Sequence, residues 1–178
     1  MTDLVAQVAA RIKKDGRATD CGPVRLSDPT TVERVHEAER RLGFNLPPML
    51  IRLYTEFSNG RFGPGYGIAG VDGNGSDERK NDIVALHEGS CGDDFSRRWP
   101  NWPRNMLRLA YLGCAMHACI DCADTNFPVY LFEPNCDEAD LGYPNNLVPF
   151  HMSFDERLLT WSNGEDVQLP KSMQEDFG

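Results

Sequence analysis

The sequence predicts an α+β fold, because helical periodicity fills the first third of the chain, short β-type runs follow from residue 107 to 150, and a capped amphipathic segment closes it. A length of 178 residues suits one domain with a core of its own, and 40% hydrophobic with 25% charged residues is a globular composition. No apolar run approaches the ~18 residues that span a bilayer, and residues 1–16 lack the basic start and apolar stretch of a secretory leader. The expected location is therefore the cytosol. With 27 acidic against 18 basic side chains the net charge is −9, which repels phosphate backbones and anionic membranes and leaves proteins, basic ones especially, as the expected partners.

Residues 2–14 place Leu4, Val5, Val8, Ala9 and Ile12 on one helical face, with Thr2 or Asp3 as cap and Gly16 as stop. A second helix is expected from Ser27 or Asp28, with Pro29 in its first turn and Val32, Val35, Ala38 and Leu42 as its stripe, ending at Gly43. Pro47 and Pro48 open a third helix carrying Leu50, Ile51, Leu53, Tyr54 and Phe57, which Asn59-Gly60 should close. Residues 60–76 hold seven glycines around one apolar piece, 68–71, and read as loop, short strand, loop. Residues 82–88 suit one or two helical turns, whereas the prolines near Trp99 and Trp102 predict an ordered loop up to Arg104. Runs at 107–112, 117–122, 128–132 and 147–150 read as strands of an antiparallel meander. Ser153-Phe154-Asp155-Glu156 is a capping box before Leu158, Leu159 and Trp161, and Asn163-Gly164 ends that helix. Residues 166–178 read as a mobile tail.

Several texts then combine: Leu42-Gly43-x-x-Leu46-Pro47-Pro48, Phe57-Ser58-Asn59-Gly60, Leu112-Gly113-Cys114, Cys119-Ile120-Asp121-Cys122, Phe132-Glu133-Pro134-Asn135 and the closing Ser153-to-Trp161 helix. Together they resemble the SUKH (Smi/Knr-like) superfamily, in its bacterial branch with G-C and C-x-D-C strand motifs, over residues 30–165. The resemblance implies a single domain over 1–165 with N-terminal helices packed on a small, mostly antiparallel sheet and a C-terminal helix. The first helix (2–15) and an insert over 72–105 depart from the pattern. It also implies a non-catalytic protein binder, an immunity protein neutralising a toxin or a regulatory scaffold, without cofactor, as a monomer or weak homodimer.

Four cysteines could carry chemistry of another class. Cys114-x4-Cys119-x2-Cys122, with Cys136 beyond, has the spacing of an iron–sulfur or zinc ligand set, yet a strand over 118–123 would turn 119 and 122 to opposite faces. The alternative is packing thiols. His117, Cys119 and Asp121 share a strand face, but Cα atoms two residues apart sit about 6.5 Å from each other with side chains parallel, a poor arrangement for nucleophile and base. Asp72, Asn74, Ser76, Glu78 and Asp82 offer oxygens without the glycine and glutamate positions of a calcium loop, so a solvated acidic loop is expected. Trp99 and Trp102 in an arginine- and proline-rich stretch, with the acidic Asp77 and Glu78 of the same insert, are the candidate partner contacts; the alternative for the two rings is cover over the core edge.

Overall fold

A computed structural model describes residues 3–21, 25–73, 81–167, 169–170 and 173. Helix α1 (Leu4–Asp15) stops at Gly16, whose φ of 65° is the left-handed conformation glycine adopts without a Cβ penalty. Helix α2 (Val32–Leu42) starts later than the prolines suggested. Its cap is Thr31, whose Oγ1 accepts from the Arg34 N–H, because the preceding segment is held extended against the end of the third helix: Thr30 N–H donates to Tyr54 O, and the Ser58 hydroxyl donates to Ser27 O. Helix α3 (Pro48–Glu56) has proline in its first turn and ends at Phe57, so Asn59 does not close it. Asn59 is buried instead as a bridge, accepting from Val71 N–H and donating to Asp72.

Helix α4 (Ile83–Ser90) is capped by Asp82. The expected loop after it contains a helix, α5 (Asp93–Arg98), short enough to precede Pro100 and supported by Asp93 and Asp94 in its first turn and Arg97 and Arg98 in its last, the charge order a helix dipole favours. Strands β1 (Met106–Gly113), β2 (Met116–Asp121), β3 (Pro128–Phe132) and β4 (Leu147–Ser153) form one antiparallel sheet in the order β1-β2-β3-β4, the meander expected. A short helix α6 (Glu138–Leu141) and a 3-10 turn (Pro144–Asn146) join β3 to β4. Helix α7 (Phe154–Ser162) follows with the full capping box on Ser153 and Glu156.

The 68–71 segment forms no strand; it contributes a single bridge, Ile68 to Ala110. Its neighbours nevertheless seal the edge of β1, with Tyr66 N–H donating to Tyr111 O and Ala69 N–H to Leu109 O. Glycine permits that approach: at Gly65 (φ 63°) a Cβ would stand 2.6 Å from Leu112 Cδ2 and 2.8 Å from Tyr111 O.

One sheet face and all the long helices share the main core. Leu107, Leu109, Ala118, Ile120, Val129, Leu131 and Val148 meet Val8 of α1, Val35 of α2, Leu50, Leu53 and Tyr54 of α3, Ile83 of α4, and Leu158 and Trp161 of α7. Two polar side chains inside it are partnered: Tyr54 Oη donates to Ala69 O at 2.5 Å, and Trp161 Nε1 to Asp20 at 2.9 Å. The buried Arg157 donates to Val167 O and lies 4.2 Å from the Phe150 ring centre. Val167 and Met173, within the stretch expected to be a mobile tail, are buried in the core. Among the described residues no helix is long and apolar enough to cross a membrane.

Candidate protein-binding surface

The second face of the sheet is divided in two. Running diagonally across it, Met106, Cys119, Phe132 and Leu147 form a separate apolar cluster covered by Phe95 of α5 and by Trp99 and Trp102 after it, with Tyr130 of β3 packed at its edge. The cover is aromatic on aromatic. Trp99 and Trp102 each meet the Phe132 ring edge-on at 4.9 Å, and Phe95 sits 4.7 Å from Trp99 and 5.0 Å from Trp102. Arg98 stacks 4.8 Å from the Trp99 centre while donating to Pro134 O, and Arg108 reaches over Phe95 to Leu86 O at 2.7 Å. The tryptophans are thus brought together as a lid on the sheet. Both remain half-exposed, and their outer edges line a groove of about 570 Å³ shared with Phe44, His87 and Cys91. Asp77 and Glu78 lie outside the described residues.

The four cysteines do not converge. Cys119 belongs to the lidded cluster and Cys122 packs against the main core, so they occupy opposite faces. Cys114, in the β1–β2 turn, and Cys122, past the far end of β2, are separated by the strand's length, roughly 20 Å at about 3.3 Å per residue. Burial pushes the thiols of Cys119 and Cys122 up to about 12, the opposite of what a thiolate ligand or nucleophile needs. Cys114 and Cys136 are exposed, and no group of three or more potential ligands is assembled among the described residues. His117 turns its Nδ1 to Ala115 O at 3.0 Å rather than to Cys119. His87 stands 3.8 Å from the Cys91 sulfur, with burial lowering its pKa. Of the calcium-like set, Asp72 pairs with Arg34 at 2.6 Å and Asp82 caps α4; Asn74, Ser76 and Glu78 lie outside the described residues.

The β4 side of Tyr130 is open. Tyr130 lies in the row Arg108–Cys119–Tyr130–Pro149, and beside it Pro128, Pro149, His151 and Met152 line a shallow groove of about 440 Å³ with Glu156 at its rim. Burial first, then the fields of Asp121 and Asp124, raise the Tyr130 phenol pKa. They belong to a wider asymmetry. Residues 1–104 carry fifteen acidic and fifteen basic side chains, while residues 105–178 carry twelve acidic and three basic, the whole net charge of −9. Of those three, Arg157 is buried and Arg108 half-buried under Phe95. The sheet half therefore presents acids to solvent with little to offset them. Motif reading missed Tyr130 as a groove residue and Phe132 as the support under the lid, although counting charge by halves would have pointed to the strands.

The chain is thus an α+β domain with a lidded sheet face and a shallow groove beside Tyr130, and among the described residues no three potential metal ligands are assembled. The model of the SMI1 / KNR4 family (SUKH-1) matches residues 29–163, and the chain belongs to that family. Membership is consistent with an immunity or protein-binding role. No match was found among curated proteins.

Proposed function

We propose that this chain is a non-catalytic cytosolic immunity protein that binds and neutralises a basic toxin domain. The observation that carries the reading is the segregation of charge: a neutral helical half and a sheet half holding the full −9. Such a field steers a cationic partner toward one side of the molecule and, against a nucleic-acid-cleaving toxin, imitates the phosphate field of its substrate. Trp99 and Trp102, with their edges exposed, serve as contacts, as do Asp77 and Glu78.

The test is co-expression with a panel of basic nuclease toxin domains. Expected are restored growth and a stable 1:1 complex whose association rate falls as salt is raised. Trp99→Ala or Trp102→Ala should then weaken the complex by about 1 kcal/mol or more with the fold intact. Absence of both protection and complex would overturn the immunity reading, and unchanged affinity in both variants would remove the tryptophans from the interface.

A further inference from the structure

We propose that the open groove beside Tyr130 is the docking site for an extended arginine- or lysine-bearing segment of a basic protein partner. The inference rests on the protein-binding reading above and adds the place and the chemistry. Three features of the groove converge on that occupant. Its floor is apolar, Pro128, Pro149 and Met152, which suits the methylene stem of a long basic side chain. Its wall is the Tyr130 ring, which attracts a cation approaching its face. Glu156, in the first turn of α7, lines its rim, Asp121 ends β2 one residue past the Ile120–Val129 pair and so beside Pro128, Asp124 follows in the next turn, and no lysine or arginine lines the groove.

These carboxylates are held in place rather than loose. Asp121 accepts from Ala123 N–H at 2.9 Å, Asp124 from Asn126 N–H at 2.8 Å, and Glu156 from Ser153. A charge already fixed by its own turn loses little entropy when a cation arrives. Phe95, Trp99 and Trp102 fill the neighbouring part of the same face and Tyr130 packs against the cluster they cover, so a partner approaching the acidic half finds the open concavity on the β4 side of Tyr130. The 570 Å³ groove at the lid is a poorer match for a cation, because Arg104 lines it and it borders the half of the chain without net charge.

The test uses the full chain, isotope-labelled, titrated with an octa-arginine peptide at low and moderate salt while amide resonances are followed. Expected shifts cluster at residues 121–130 and 149–156. Asp121→Asn with Asp124→Asn keeps the turn hydrogen bonds and should weaken binding about fivefold or more, whereas Asp137→Asn with Asp140→Asn, the same charge change near α6, should cost under about twofold. Tyr130→Phe should retain binding and Tyr130→Ala should lose it. Equal losses in the two double variants would mean diffuse attraction and overturn the site. Shifts centred on Trp99 and Trp102 would overturn it too, while leaving the protein-binding reading standing. Localised peptide binding by a chain that protects against no toxin would do the reverse, keeping the site and removing the immunity role.

Discussion

Phe132→Ala is the perturbation that separates the lid from the core. Phe132 is 2% exposed and its ring is touched by Phe95, Trp99 and Trp102, so truncation removes the surface on which all three rest. Phe→Ala at buried sites costs about 3–5 kcal/mol, the spread depending on how far the site can collapse. Here the three neighbours are only half-buried and free on one side, so they can close over the vacancy or swing outward. The lower end applies, about 3 kcal/mol, or roughly a hundredfold in the folding equilibrium. Urea unfolding gives that number from the shift in midpoint. Incorporating 5-fluorotryptophan then locates the change, because the chain has three tryptophans and Trp161, 1% exposed, belongs to the main core. Two resonances, those of Trp99 and Trp102, should move to solvent-exposed positions while Trp161 stays. A loss under about 1 kcal/mol, or displacement of all three signals together, would refute the division of the sheet face into lid and core.

The thiols offer a second check: Cys91, Cys114 and Cys136 are exposed and should react quickly with a thiol reagent, while Cys119 and Cys122 should react only on unfolding. Burial raises these two from the ordinary 9.0 to about 12. Above 9 the unfolded chain has therefore released protons that the folded one still binds, so stability present below that pH should decline as pH climbs toward 12. Denaturation midpoints at pH 8 and pH 10 test the sign, and a higher midpoint at pH 10 would contradict it. Gly65→Ala should destabilise by about 2 kcal/mol or more, since the new Cβ both strains a positive φ and strikes Leu112 and the Tyr111 carbonyl. An unchanged melting temperature would mean the loop does not seal β1 as described.

The strands were legible because each is a short apolar run between turn residues, and α7 because Ser153 and Glu156 spell out their own capping box. Helix α5 was not, as six residues show too little periodicity and its stability comes from end charges and from Phe95 packing under the tryptophans. The cap of α2 was misplaced at Ser27 or Asp28 because only tertiary bonds to α3 hold that stretch extended until Thr31. At the surface, Trp99 and Trp102 were visible by residue type, but which way the rings turn depends on Phe132, more than thirty residues away in sequence. The tyrosine of the open groove was read only as part of the strand text Pro128-Val129-Tyr130, because its groove exists only once β4 and α7 are folded beside it.

Among the described residues β4 is the outermost strand of the sheet, and its backbone is a poor template for another chain. Pro149 has no N–H to offer, and between Pro149 and Ser153 the ladder breaks register, with His151 at a φ of 56°. A second copy meeting that border finds a gap and a kink where a growing sheet needs a straight row of donors and acceptors. The chain can thus stand at high concentration without zipping into strand-paired polymers, and each molecule keeps its acidic groove available to something other than itself.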